Sequence, residues 1–140
     1  MIIHAERDSV CAGDDCNAPN AKDIMLDTRA RVSELLEKVS EYVPNMHNSV
    51  WPVMKDCEKS NKILGFVVFD ENGSHYCELA VPDGNIQTLG IDKIFCRYFH
   101  RRTSIWHDDC WYMLEKCYPQ YERLIDMVKA ALEYEKSKTV

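Results

Sequence analysis

A run of seven apolar residues, Ile63–Phe69, constrains the fold of this chain more than any other segment. A run of this length that contains β-branched and aromatic residues is typical of a strand. Because apolar side chains point to both faces of such a strand, it must be covered on both, as in the centre of a sheet. Residues 70–73, Asp-Glu-Asn-Gly, favour a tight reversal. The segment therefore predicts a hairpin whose second strand spans residues 75–81.

The clearest helical pattern lies between two strand-like regions. Apolar residues recur at the helical spacing i, i+3, i+4, i+7 and i+11, and charged residues occupy the other face. These apolar positions are Val32, Leu35, Leu36, Val39 and Val43. Asp27 or Thr28 is a suitable N-cap residue, and Pro44 ends the pattern. The sequence predicts one amphipathic helix that ends before Pro44.

The remaining elements complete an α+β order. Strands are predicted over residues 1–10, 21–26, 49–55 and 93–100, and Pro52 favours an edge position for the third of these. Two helices are predicted at the C-terminus, one over 104–117 and one that starts at Pro119, a favoured first-turn position. We therefore expect an antiparallel or mixed sheet of five to six strands, with one helix after the first hairpin and two C-terminal helices.

The N-terminal half resembles a known arrangement. The order hairpin, helix, further strands resembles a β-grasp (ubiquitin-like) core. The segment Arg7-Asp8-Ser9-Val10-Cys11-Ala12-Gly13-Asp14-Asp15 also looks like the start of small uncharacterised bacterial or phage proteins. This resemblance spans about residues 1–43 and implies a fold, but no activity, cofactor or partner.

Composition limits the class of protein. A chain of 140 residues fits a single domain over residues 1–140. Its seven cysteines are an odd number, and no apolar leader follows Met1, so we expect a cytoplasmic, reducing compartment and no disulfide framework. No apolar run approaches the ~20 residues that a membrane span needs.

The sharpest metal candidate is a set of cysteines and histidines near residue 100. Two soft and two borderline ligands fall in a short span, which is the number that a closed tetrahedral zinc site needs. They are Cys96, His100, His107 and Cys110. The spacing matches no paired Cys-x2-Cys knuckle, and the competing interpretation makes both cysteines small core residues. A chain that binds no cofactor is the first expectation, with zinc as the alternative.

The charge distribution suggests a partner. The net charge is −6, and six acidic residues lie within residues 1–27 against Arg7 and Lys22. Asp8, Asp14 and Asp15 are the partner-binding candidates, since an acidic surface fits a basic protein. His4, Cys11 and Cys16 lie near the same acids, and the pair Cys11-x4-Cys16 beside Asp14 and Asp15 is a second candidate for metal binding. Residues 13–20 nevertheless have the composition of an ordinary solvated turn.

The segment 93–112 is the opposite in charge. It interleaves cations with aromatic residues, a pattern that suits contact with phosphate and stacking of a base. The ligand-binding candidates are Lys93, Arg97, Arg101, Arg102 and Trp106. In the competing interpretation the aromatic residues are core and the arginines form a solvated corner.

Three functions follow, in order of preference. The first is a non-catalytic acidic protein that acts by protein–protein contact, of the type that phages and mobile elements encode as inhibitors, anti-CRISPR proteins among them. The second is a nucleotide- or phosphate-binding protein that uses residues 93–112. The third is a zinc-binding domain or an enzyme, placed last because no Gly-rich phosphate loop, nucleophile elbow or metalloprotease motif is present. The apolar stripe of the last helix fits packing against the chain's own sheet and packing against a second copy equally well, so a homodimer is also compatible with the sequence.

Overall fold

The computed structural model of the chain describes residues 1–8, 20–57, 60, 62–100 and 110–138. Its elements, in chain order, are β1 Ile2–Arg7, β2 Ala21–Met25, α1 Val32–Tyr42, β3 Ser49–Lys55, β4 Ile63–Phe69, β5 His75–Leu79, β6 Lys93–Cys96, β7 Phe99–His100, α2 Cys110–Cys117, a 3-10 turn Pro119–Tyr121 and α3 Glu122–Lys138. The chain divides into two compact units, Met1–Tyr98 and Phe99–Val140. The single domain expected from the length stays a prediction.

The first unit contains a mixed sheet with the strand order β2-β1-β6-β3-β4-β5. β1 pairs antiparallel with β2 and parallel with β6, and the remaining neighbours in this order are antiparallel. The α+β class is therefore confirmed, as are the mixed sheet and the helix that follows the first hairpin. Within the described residues, β2 and β5 form the two edges of this order.

Helix α1 covers one face of the sheet. All five residues of the predicted stripe are buried, and they join a core that includes Trp51, Val67 and Ile94. The predicted cap is wrong, because the helix begins at Val32 and Arg31 occupies the cap position without a side-chain hydrogen bond. Asp27 instead accepts a hydrogen bond from the Arg29 amide at 2.8 Å, which closes a local turn.

The buried strand β4 lies inside the sheet, as the apolar run predicts, and all seven of its residues are buried. The edge position predicted for β3 is wrong, because β3 lies between β6 and β4. Its proline is accommodated at the end of β6. The Pro52 carbonyl accepts from the Arg97 amide at 3.1 Å, one residue after β6 ends. Since the N–H and C=O of a strand residue point to the same side, the missing N–H of Pro52 falls where the regular ladder has stopped.

A glycine sets the distance between α1 and the sheet. A Cβ atom built on Gly65 would lie 2.5 Å from Leu36 Cδ1 and 2.6 Å from the Glu78 carbonyl oxygen. Such distances are shorter than any contact that packed atoms tolerate, so the helix can approach β4 and β5 only because residue 65 has no side chain. This close approach places the side of α1 that carries Ser33 and Glu37 next to β5.

The predicted hairpin turn at residues 70–73 is confirmed, whereas the strand predicted over residues 93–100 is not. Gly73 adopts a φ of 84° in the hairpin turn, and the Asp70 carboxylate accepts from the Asn72 and Ser74 amides. The hairpin is confirmed, with β5 ending at Leu79. The continuous strand predicted over 93–100 is wrong, because it divides into β6 and the two-residue β7.

The second unit consists of β7 followed by helical segments. Leu114, Tyr118, Ile125 and Val128 are buried, and the Phe99 and Tyr118 rings meet edge to face with centroids 6.5 Å apart. The predicted end of the first helix at Cys117 is confirmed. Pro119, the predicted start of the next helix, begins the 3-10 turn that leads into α3, and the α-helix itself begins at Glu122. The predicted start near Ser104 lies outside the described residues. Within the described part of the chain, no helix is both long and apolar enough to span a membrane.

Candidate functional site

A groove of about 320 Å³ lies between α1 and the edge strand β5. Its lining residues come from two consecutive turns of the helix and from the second half of the strand. They are Ser33, Glu34, Leu36, Glu37, Cys77, Glu78 and Leu79. The charged residues of this set are all glutamates, Glu34 and Glu37 on α1 and Glu78 on β5, so this region attracts cations.

A histidine and a glutamate join the helix to the strand at one end of the groove. His75 Nε2 lies 2.8 Å from Glu37 Oε2, so its N–H donates to the carboxylate. Both side chains are accessible, with 45% of the His75 side chain and 60% of the Glu37 side chain exposed. An exposed pair of this kind contributes little to stability, on the order of 0–1 kcal/mol. Its position in the groove therefore matters more than its strength.

The Cys77 thiol lies on the same face of β5 as His75, because the two residues are two positions apart in a strand. Cys77 is half-buried and unpaired with another cysteine. Burial, together with the charge and hydrogen bond of Glu37, raises the pKa of the Cys77 thiol to about 12. At neutral pH the thiol is therefore protonated and donates to Glu37, which is the opposite of an activated cysteine nucleophile.

The first turn of α1, at one end of the groove, is capped by Asp83 from the loop after β5. The Asp83 carboxylate accepts the Ser33 amide at 2.9 Å and the Ser33 hydroxyl at 2.8 Å. These two bonds, the amide first, lower the pKa of Asp83. Asp83 thus supplies the N-terminal cap that was expected from Asp27 or Thr28, and it holds the first turn of α1 to the loop after β5.

The predicted zinc ligands are only partly described. Cys96 is fully buried, and burial raises the pKa of its thiol, so a thiolate there is costly. His100 does not share a strand with Cys96, since β6 ends at Cys96. His107 lies outside the described residues, and Cys110 is described only as the first residue of α2. The four-ligand site stays a prediction.

The acidic partner-binding residues have a similar status. Asp8 is committed to the fold, because its carboxylate accepts the Tyr98 amide at 3.0 Å and its own amide donates to the Cys96 carbonyl. Asp14 and Asp15 lie outside the described residues. Their role in contact with a partner stays a prediction.

The basic and aromatic segment is described as far as residue 100. Lys93 Nζ lies 3.7 Å from Glu6, and Arg97 is half-buried. Phe95 and Phe99 are 8% exposed, as the core interpretation predicts. Arg101, Arg102 and Trp106 lie outside the described residues, so the ligand site over 93–112 stays a prediction.

Three residues in or beside the groove were not predicted: Glu37 and Cys77, which line it, and His75 at its end. The sequence contains a partial signal, because His75-x-Cys77 in a predicted strand places both side chains on one face. Glu37 lies on the polar side of the predicted helix, and the helical pattern does not indicate which strand lies beside it. The position of α1 against β4 and β5, with its close approach at Gly65, places Glu37 beside β5, and this packing exists only in the folded chain.

No protein-family model matches the chain, and neither the curated proteins nor the solved structures contain a significant match. The function of the chain is therefore inferred from the groove and its side chains.

Proposed function

We propose that the protein is a binding module whose acidic groove between α1 and β5 takes a basic, extended segment of a partner protein. The observation that supports this is the charge along the groove: Glu34 and Glu37 line it from α1, and Glu78 carries its carboxylate beside Tyr76 on the other face of the edge strand. A groove that has one sign of charge raises the local concentration of oppositely charged segments and increases their association rate.

The edge strand gives the partner a second means of attachment. β5 ends the described sheet order, and an extended peptide can add to a sheet edge through main-chain hydrogen bonds. Glu78 extends the acidic surface around this edge, where its carboxylate accepts a hydrogen bond from the Tyr76 hydroxyl. The strand edge would orient the peptide, and the carboxylates would select lysine and arginine.

Fluorescence anisotropy with a labelled, lysine-rich extended peptide tests this proposal, in buffer that contains a chelator. The double variant Glu34→Gln/Glu78→Gln should bind at least about fivefold more weakly than the parent protein, since two favourable charge contacts are lost. Its affinity should also depend less on salt. Glutamine keeps an oxygen acceptor for Tyr76, so the fold is disturbed little.

The matched control removes the same amount of negative charge near the opposite edge of the sheet. Glu6→Gln/Asp23→Asn changes the net charge by the same amount, at positions on β1 and β2. This control should bind the peptide like the parent protein. Equal weakening by the two double variants would show that the peptide responds to net charge alone and would overturn the groove as the binding site.

A further inference from the structure

Three potential metal ligands converge at the end of the groove. One ligand atom from each of Glu37, His75 and Cys77 lies within 4.8 Å of the other two. No other group of three or more such side chains meets this criterion within the residues that the structure describes. In a tetrahedral zinc site, bonds of about 2.0–2.3 Å place the ligand atoms roughly 3.3–3.8 Å apart. The three atoms thus need only small side-chain rotations to reach that spacing.

The chemistry of the ligands indicates which metal they fit. A thiolate is a soft ligand, imidazole suits zinc and its transition-metal neighbours, and a carboxylate is accepted by both hard and borderline metals. Magnesium and calcium require sites built of oxygen ligands. We propose that Glu37, His75 and Cys77 bind one Zn²⁺ ion, with a fourth coordination position open toward the groove.

The fold positions these ligands on regular elements. His75 and Cys77 are held by the pairing of β5 with β4, opposite Phe69 and Val67. Glu37 lies in the middle of α1, whose distance from β5 is fixed by the contact between Gly65 and Leu36. Ligands on paired strands and helices are held more exactly in place than ligands on loops. Because His75 and Glu37 are about half exposed, a metal ion reaches them directly from solvent.

Metal binding would replace the hydrogen bonds that the three side chains now form. Zn²⁺ takes the place of the Cys77 proton, which is released to solvent, and the metal lies between His75 and Glu37 in place of their hydrogen bond. The Glu37 carboxylate lies beside the thiol, and its negative charge opposes a bare thiolate and favours a bound cation. The apparent affinity should therefore increase with pH, as one thiol proton is displaced.

This inference is independent of the proposed function, because zinc can bind whether or not the groove also accepts a peptide. Its test uses the metal alone and no partner. The peptide assay is run with a chelator, so a negative result in one assay leaves the other unaffected.

Cobalt absorption spectroscopy on the full-length, reduced protein tests the site. Co²⁺ replaces Zn²⁺ in tetrahedral sites and gives a thiolate-to-metal charge-transfer band when cysteine is a ligand. We expect the band in the parent protein and its loss in Cys77→Ser. Zinc affinity, measured by calorimetry, should fall at least about tenfold in the same variant, the lower limit seen when even an outer-shell partner is lost.

Two control variants assign the band to this cysteine. Cys57→Ser removes an exposed free thiol from the same unit and should leave the band unchanged. Cys110→Ser tests the four-ligand site predicted from sequence and should also have no effect. If Cys77→Ser is poorly folded, Glu37→Gln provides the same test through an exposed ligand, with a weakened affinity expected. A band that persists in Cys77→Ser, a band lost in Cys110→Ser, or a parent protein without any band would overturn the proposal.

Discussion

Two histidine–carboxylate pairs lie at opposite edges of the sheet and have nearly the same local geometry. His4 Nδ1 is 2.6 Å from Asp23 Oδ1 across the β1–β2 pair, and His75 Nε2 is 2.8 Å from Glu37 Oε2 between β5 and α1. Their side chains are also similarly exposed, at 63% and 58% in the first pair and 45% and 60% in the second. Neither distance nor exposure therefore distinguishes a site from a surface contact.

The surroundings of the two pairs differ. His4 lies in register with Lys93 of β6, whose ammonium group lies 3.7 Å from Glu6, and among the described residues no third potential metal ligand meets the His4–Asp23 pair. His75 lies two residues from Cys77, next to a groove whose charged residues are acidic. A histidine–carboxylate pair thus acquires possible chemistry only when a third ligand, a concave wall and a suitable charge accompany it.

The largest expected effect on this difference comes from the glycine beneath the groove. Gly65→Ala places a methyl group 2.5 Å from Leu36 and 2.6 Å from the Glu78 carbonyl oxygen, and a backbone atom of a paired strand moves little. We expect a loss of about 2–3 kcal/mol in the free energy of unfolding, as overpacked cores show. Urea denaturation followed by circular dichroism measures it.

A second glycine provides the control for this variant. In Gly84→Ala the added atom would meet Leu89 Cδ1 at 3.2 Å, and Leu89 is exposed and can rotate away. Its loss should stay below about 1 kcal/mol, as for a substitution outside the core. Equal losses of stability in the two variants would show that α1 and β4 are not tightly packed at Gly65, and would contradict the role of this contact in positioning the groove.

The next largest effect concerns the cap that holds the first turn of the groove wall. Asp83→Ala removes both hydrogen bonds to Ser33, and the free energy of unfolding at pH 7 should fall by about 1 kcal/mol. Because the pKa of Asp83 is lowered in the folded protein, its stabilisation is present above the ordinary value of 3.8 and is lost as the pH falls through the folded pKa. The difference between parent and variant should therefore shrink in acid.

The control is the residue that the sequence favoured as the cap. Asp27→Ala removes the contact to the Arg29 amide but keeps the Asp83 bonds, so its loss should be smaller. Urea denaturation between pH 3 and pH 7 measures both variants, and this range is chosen to bracket the titration of a carboxyl group. A larger loss in Asp27→Ala than in Asp83→Ala would return the cap to the position expected from sequence.

The sequence predicts the parts of the fold that depend on local periodicity. The five-residue stripe of α1, the buried run of β4 and the helix end at Cys117 are confirmed because each is determined by side chains close together in the chain. The edge position of Pro52 is wrong because a proline reports only its missing N–H. It contains no information on where the neighbouring strand β6 stops.

The candidate site depends on contacts that are distant in the chain. Glu37 and His75 are 38 residues apart, and Ser33 and Asp83 are 50 apart. Periodicity predicts which face of a helix or strand a residue occupies, but not which element lies opposite. The pattern His75-x-Cys77 could have indicated two ligands on one face of β5, whereas the third ligand required the register of α1 on the sheet.

The most direct measurement is zinc calorimetry on the two histidine variants, since it compares the two pairs under one condition. His75→Gln removes a ligand of the proposed site, and His4→Gln makes the same change in the surface pair. We expect His4→Gln to bind zinc like the parent protein and His75→Gln to bind it at least about tenfold more weakly. Equal affinities in the two variants, or a loss confined to His4→Gln, would contradict the assignment of the site to the groove between α1 and β5.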